Sequence, residues 1–122
     1  PDDWYEWMPT CHHNDRLMER AEAFVGLDKR QYLYLLYVWG HSYEFDLDNN
    51  WDLIESFCRH IGGRADIWYA TNIEIFDYME AFGRLQFTAD CRVVRNPSAR
   101  SVWLYADDRL FEVPGGAVVA LA

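Results

Sequence analysis

The sequence predicts an α/β fold, with about three strand–helix units of parallel strands in residues 1–85 and a small antiparallel β extension in residues 86–122. In the first part, apolar segments typical of strands alternate with segments of helical periodicity, which is the pattern of parallel strands joined by helices. In the second part, short strand-like segments alternate with turn-forming residues. At 122 residues and 51% hydrophobic composition, the chain is long enough for one domain with a core. It is shorter than the about 250 residues of a complete α/β barrel.

The first two predicted units each pair an apolar strand with an amphipathic helix. The first has a strand over residues 5–10 and a helix over 14–25. The apolar stripe of this helix consists of Leu17, Ala21, Phe24 and Val25. The second has a strand over 32–39, apolar on both faces as in the interior of a parallel sheet, and a helix over 50–61. The stripe of the second helix consists of Ile54, Phe57, Cys58 and Ile61, its start is capped by Asn49 or Asn50, and it ends at Gly62 and Gly63.

The third predicted unit has a strand over residues 67–70 and a helix over 72–82. Thr71 and Glu74 have the spacing of a capping box, and Gly83 ends the helix. One face of the helix is formed by Ile75, Tyr78, Met79 and Phe82. Parallel strands need a crossover of a dozen or more residues, and helices of this length supply it while covering the sheet.

After residue 85 the helical periodicity stops and five short strands are predicted. They span residues 86–88, 92–95, 102–105, 110–113 and 118–121. Turn-forming residues separate them at positions 96–97, 106–109 and 114–116. Strands joined by turns this short pair in the antiparallel direction.

The charge composition argues against nucleic acid as a partner. The chain has 11 Lys and Arg against 20 Asp and Glu, and tight nucleic-acid binding requires clustered basic residues. The cysteines, at positions 11, 58 and 91, are odd in number and form no CxxC pair, which favours a reduced, cytoplasmic setting. No apolar run reaches the about 20 residues of a membrane span. Because the chain begins at Pro1 and not at Met, we expect a preceding segment.

Polar residues follow each of the three predicted parallel strands. The carboxyl ends of such strands meet at one rim, which is where α/β proteins carry their reactive groups. The residues at these positions are Cys11, His12, His13, His41, Ser42, Tyr43, Glu44, Thr71, Asn72 and Glu74. Three of the four histidines are among them, and we therefore expect an active-site rim. The simpler interpretation is that these residues cap helices and form turns.

His41 is the strongest catalytic candidate. Gly40 lets the backbone turn after the strand, and an imidazole can donate a proton to a leaving group near neutral pH. The alternative is a buried histidine whose ring is hydrogen-bonded to the backbone or to Glu44. His12 and His13 invite a metal interpretation, but adjacent residues point in different directions, so at most one of them is expected to share a site with His41.

Aromatic residues make up 17% of the chain, and three tryptophans lie in or near the predicted strands, at Trp7, Trp39 and Trp68. Their flat apolar faces suit stacking against sugar rings. Core packing accounts for most of them equally well.

Three segments carry a resemblance to a known family. They are residues 10–14, TCHHN, residues 37–45, YVWGHSYEF, and residues 66–75, DIWYATNIEI. With these segments, the chain resembles over essentially its whole length a bacterial branch of the polysaccharide deacetylases, the carbohydrate esterases that include chitooligosaccharide and peptidoglycan deacetylases. It is similar to the carboxyl-terminal half of that family's domain.

The resemblance implies a fold, a reaction and a cofactor. The fold would be part of a distorted (β/α) barrel, formed by residues 1–85, with residues 86–122 packed on it. The reaction would be the removal of acetyl groups from N-acetylated or O-acetylated sugars, with a divalent metal, usually zinc, activating water. In the family one Asp and two His hold the metal in motifs that precede this region. No metal ligand or other cofactor is therefore expected within this chain.

The resemblance also implies residue roles. In the family a strand that ends in Leu-x-His supplies the general acid, and His41 is its counterpart, with Trp39 where Leu is usual. His12 and His13 follow an earlier strand, where the family more often has an Asp-and-Trp motif, and they would support or contact the substrate. The expected substrate-binding residues are Trp39, Glu44, His12, His13 and Trp68.

The leading expectation is a portion of a deacetylase-like hydrolase that is inactive alone, because its metal ligands and its amino-terminal half lie outside this chain. One alternative is a non-catalytic glycan-binding or structural module, which could form a homodimer that covers the open edge of its sheet. Another is a self-contained metal hydrolase that uses His12, His41 and Glu44.

Overall fold

The structure is a computed structural model that describes residues 3–29 and 32–121. The chain divides into two compact units, Pro1–Trp68 and Tyr69–Ala122. Unit 1 contains β1 (Cys11–His12), α1 (Leu17–Val25), β2 (Val38–Trp39), α2 (Ser42–Leu47) and α3 (Trp51–Ile61). Unit 2 contains α4 (Asn72–Gly83), β3 (Gln86–Phe87), β4 (Val93–Arg95), β5 (Val102–Ala106), β6 (Arg109–Val113) and β7 (Val118–Ala120). Over the residues described, no helix combines the length and the apolar character needed to cross a membrane.

Unit 1 is built on one parallel pair of strands. β1 lies beside β2 with His12 opposite Trp39, so the mixed α/β character and the parallel direction predicted for this region are confirmed. α1 packs against α3, and it buries Leu17 and Ala21 of its predicted apolar stripe. α3 begins directly after Asn50 and ends just before Gly62, as predicted, but the side chain of Asn50 makes no capping hydrogen bond and instead donates to Asn14.

The strands of unit 1 are shorter than predicted. Residues 5–10 and 32–37 form no strand, and neither does the third predicted strand, residues 67–70. Apolar and aromatic residues form a strand only where a neighbouring strand pairs with them, because their β preference depends on packing and pairing. Here the ladder stops after two residues, and the described residues contain no closed barrel. The apolar run before β2 is exposed instead, with Leu33 at 70%.

Unit 2 contains the antiparallel strands that the turn residues predicted. β3, β4 and β7 form one sheet in that order, and β5 and β6 form a separate hairpin. Asp107 and Asp108 make the hairpin turn, both with positive φ, as a two-residue turn between right-twisted strands requires. α4 begins after the predicted capping box of Thr71 and Glu74, and it contacts β5.

A small apolar core and one buried polar side chain hold unit 2 together. The core consists of Val94, Val113 and Leu121, with Leu85, Leu104, Phe111 and Val119 packed around it. Asn96 is fully buried beside this core. Its Nδ2 donates to the carbonyl oxygens of Arg100 at 2.6 Å and Val113 at 2.9 Å, so the side chain fixes the turn after β4 to the end of β6.

Candidate functional site

Four polar side chains meet at the carboxyl ends of β1 and β2. Because the strands are parallel, the residues that follow them lie at the same edge of the pair. Two of the four come from the end of β1 and two from the segment after β2. We call them the His–Glu cluster: His12, His13, His41 and Glu44.

One carboxylate oxygen, Oε2 of Glu44, is the centre of this cluster. It accepts the backbone N–H of His41 at 2.7 Å. Nε2 of His12 lies 3.2 Å from it, within hydrogen-bond distance. Nε2 of His13 lies 3.7 Å away and Nδ1 of His41 3.4 Å away. Three imidazole rings therefore surround a single carboxylate.

The first turn of α2 positions Glu44. Glu44 is the third residue of this helix, and it closes a capping box with His41, the residue that precedes the helix. The hydrogen bond from the His41 backbone lowers the pKa of the Glu44 carboxyl below its ordinary value of 4.5. Desolvation opposes this effect, and His12 and His13 add to it. Glu44 is therefore negatively charged at neutral pH.

His13 is the buried member of the cluster, with 3% of its surface exposed. Its ring packs between those of Phe45 and His12, with ring centroids 4.3 and 4.2 Å away. Gly40 makes room for it, because a Cβ atom at that position would overlap the His13 ring. Nε2 of His13 is buried without a hydrogen-bond partner among the residues described, and it lies 3.7 Å from Oε2 of Glu44.

His12 has a defined proton position. Its ring stands edge-on to the ring of Trp39, with centroids 4.7 Å apart. Its Nδ1 accepts the backbone N–H of Asn14 at 3.2 Å. Because a neutral imidazole carries one proton, this bond assigns the proton to Nε2, which donates it to Glu44.

His41 is the member of the cluster that faces solvent, with 55% of its side chain exposed. Its ring stacks on Tyr43, with centroids 5.2 Å apart, and lies 6.1 Å from the ring of Trp39. Nδ1 is turned toward Glu44, which leaves Nε2 on the other side of the ring. Trp39 and Tyr43 are each about half exposed, so the surface around His41 is flanked by aromatic rings.

The structure brings together five of the six residues predicted for the site. These are His12, His13, Trp39, His41 and Glu44. Trp68 lies in the segment that forms no strand, with its side chain exposed. The expectation that at most one of two adjacent histidines would face the site is wrong. β1 ends at His12 and a turn begins at His13, so the alternation of side chains along a strand does not apply to this pair.

Two features of the site were not predicted from the sequence. The first is the helix α2. The spacing of His41 and Glu44, which is that of a capping box, could have indicated its start. The other is the role of Asn14, whose Nδ2 donates to Asp48 at 2.8 Å and whose Oδ1 accepts from Asn50 at 3.2 Å. These bonds tie the turn after β1 to the segment between α2 and α3.

The chain was compared with models of protein families, with curated proteins and with solved structures. None of the three comparisons found a match.

Proposed function

We propose that this chain is part of a deacetylase-like hydrolase that removes acetyl groups from acetylated carbohydrate, with His41 as the proton donor. The observation that carries the proposal is the setting of His41: a solvent-facing ring with Glu44 beside Nδ1 and two exposed aromatic rings next to it. The resemblance of residues 10–14, 37–45 and 66–75 to polysaccharide deacetylases supports the same assignment.

The chemistry requires a proton at one atom. Hydrolysis adds water to the acetyl carbonyl and breaks the bond to the sugar nitrogen or oxygen, which leaves as an amine or a hydroxyl once it is protonated. Nε2 of a protonated His41 can deliver that proton while acetate departs. Glu44 lies 3.4 Å from Nδ1, where a carboxylate can orient the ring as it does in a Ser–His–Asp triad. The divalent metal that the resemblance implies would, when bound, activate the attacking water.

The surroundings of His41 also support a carbohydrate substrate. The apolar faces of Trp39 and Tyr43 can stack against a sugar ring, while their polar edges remain in water. The parallel pair β1–β2 with its helices is compatible with part of a (β/α) barrel. The side chains of residues 32–35 are apolar and exposed, and such a patch is typical of a surface that packs against a further protein segment or a second copy of the chain.

The test is a His41→Asn substitution in the native protein that contains this sequence. Acetate release from an N-acetylated chitooligosaccharide should fall by about 10²–10⁴-fold in kcat with little change in KM, which is the usual contribution of a general acid. His60→Asn, which alters a histidine near the end of α3, is the control and should leave kcat unchanged. Full activity of the His41→Asn protein would contradict the proposal.

A glycan-binding module without turnover is the second candidate, and the exposed rings of Trp39 and Tyr43 favour it. It predicts that Trp39→Ala abolishes glycan binding while His41→Asn leaves it intact, and that the native protein releases no acetate. Acetate release by the 122-residue chain alone, once supplied with zinc, would instead favour a hydrolase that is complete within this chain.

A further inference from the structure

In the His–Glu cluster, ligand atoms of His12, His13 and Glu44 lie close together, an arrangement that proton donation by His41 does not require. Nε2 of His12 and Nε2 of His13 lie 3.2 and 3.7 Å from Oε2 of Glu44. One ligand atom from each of these residues can be chosen so that all lie within 4.8 Å of one another. We propose that His12, His13 and Glu44 bind a divalent transition-metal ion, zinc by preference. This inference rests on the geometry of the three side chains and stands apart from the proposed deacetylase activity.

The distances suit a zinc ion. Two ligand atoms at about 2.0–2.1 Å from a tetrahedral zinc are about 3.3 Å from each other. The separation of His12 Nε2 from Glu44 Oε2 already has this value, at 3.2 Å. The 3.7 Å separation of His13 Nε2 from the same oxygen needs an adjustment of only about 0.4 Å to reach it. Each histidine nitrogen is therefore close to its binding distance from the Glu44 oxygen before any ion arrives.

The burial of His13 is a second, independent observation. Buried polar atoms in proteins almost always have a hydrogen-bond partner. Nε2 of His13 has none among the described residues, although the side chain is almost completely buried. The packing of Phe45 and Gly40 against the ring leaves it little freedom to turn toward water. A metal ion beside Glu44 would supply the partner that this nitrogen lacks.

His12 and Glu44 supply the charge and the exchangeable proton. Glu44 is ionised at neutral pH and balances part of the charge of a divalent cation. Nε2 of His12 carries a proton that it donates to Glu44, and a metal ion would take the place of that proton. The His12 proton must then move to Nδ1, so the backbone N–H of Asn14 has to give up its bond to that atom. Metal binding should therefore change the environment of the Asn14 amide.

The donor types select the class of metal. Imidazole nitrogens favour zinc and other transition metals, whereas calcium and magnesium prefer sites made only of oxygen atoms. Three protein ligands leave a fourth tetrahedral position open, which is the arrangement of catalytic zinc sites and not of structural ones. This proposal departs from the sequence-based expectation that the chain holds no metal ligand, and it names the three residues that would bind the ion.

The test is calorimetric titration of the metal-free chain with zinc chloride. One zinc ion per chain is expected to bind. His12→Gln and Glu44→Gln should each weaken binding by more than about 100-fold, since even residues that only support a metal ligand contribute about 10–100-fold. Glu74→Gln is the matched control, because Glu74 closes the same kind of capping box in α4 and lies outside the cluster. Its zinc affinity should equal that of the unaltered chain.

A second measurement separates loss of ligands from loss of folding. On addition of zinc, the NMR signals of the His12 and His13 rings and of the Asn14 amide should shift, while those of His60 stay in place. The circular dichroism spectrum of each variant reports whether it is folded. No zinc binding, unaltered binding by folded His12→Gln protein, or equal weakening by Glu74→Gln would each overturn the proposal. Zinc binding that persists in His41→Asn protein distinguishes the metal site from the proposed catalytic role.

Discussion

Gly40 lies directly against the imidazole ring of His13, so closely that a Cβ atom at position 40 would overlap Nδ1 of the ring. The backbone φ of Gly40 is also positive, at 153°, a conformation that residues with a side chain rarely adopt. The glycine that ends β2 therefore does more than allow a turn. It creates the space in which the buried histidine of the His–Glu cluster sits.

Gly40→Ala should destabilise the chain and displace His13. Overpacking of a buried ring costs about 1–3 kcal/mol, and the strained backbone adds about 1–3 kcal/mol. We expect the free energy of unfolding, measured by chemical denaturation, to fall by about 3 kcal/mol. Gly63→Ala is the control, because Gly63 also has a positive φ, 70°, but has open space around it. A loss no larger than that of Gly63→Ala would contradict the contact described here.

Trp39→Ala should weaken binding of an acetylated chitooligosaccharide by about 10-fold or more, because the exposed indole beside His41 would be lost. The binding constant can be measured by calorimetry. Trp103→Ala is the matched control, since Trp103 in β5 is equally exposed, at 46% against 48%. Equal effects of the two substitutions would show that the rings near His41 do not form the sugar site.

Asn96→Ala should destabilise unit 2 by about 2–4 kcal/mol. The substitution removes the two hydrogen bonds that the Asn96 amide donates to the carbonyl oxygens of Arg100 and Val113. Chemical denaturation measures the change. Ser98→Ala leaves the Asn96 amide in place and removes a hydroxyl that donates to Asn96 Oδ1 at 2.7 Å and makes longer bonds, of 3.2 and 3.3 Å, to the backbone of Arg100, so it should cost about 1 kcal/mol. If the two variants were equally stable, the buried amide would have no special role.

Glu74 should make stability depend on pH. The backbone N–H of Thr71, followed by the Thr71 hydroxyl, lowers the pKa of the Glu74 carboxyl below its ordinary 4.5. A lowered pKa means that the stabilisation is complete above the ordinary value and is lost as the pH falls through the lowered one. The stability difference between the unaltered chain and Glu74→Gln should therefore be fully present above the ordinary pKa of 4.5 and disappear as the pH falls through the lowered pKa. A difference that grows on acidification would contradict this capping box.

Cys11 should be the least reactive of the three thiols. Burial raises its pKa above the ordinary 9.0, and the thiolate is the form that reacts. Cys58 and Cys91 are exposed, so a disulfide reagent at neutral pH should titrate two thiols rapidly and the third only after denaturation. Rapid reaction of all three would show that the start of β1 is accessible to solvent.

Most helices and hairpins could be predicted from local patterns. α3, α4 and the strands of unit 2 lie close to their expected positions, because capping residues, glycines and apolar periodicity act within a few residues of one another. The strands of unit 1 could not be predicted in the same way. The apolar run of residues 32–39 has the composition of a long buried strand, yet within it only Val38 and Trp39 form a strand, which lies beside β1.

The residue types of the candidate site, histidines and a glutamate near strand ends, could be recognised from the sequence alone. Their arrangement depends on tertiary structure. Two adjacent histidines share one carboxylate because β1 stops at His12, and Glu44 reaches them because α2 follows β2 directly. The residue at which β1 ends depends on its hydrogen bonds to β2, which lies more than 25 residues away in the sequence, as in the pairing of His12 with Trp39. The directions of the His12 and His13 side chains depend in turn on where β1 ends. Local sequence carries no information on such a long-range pairing, and the convergence of the cluster follows from it.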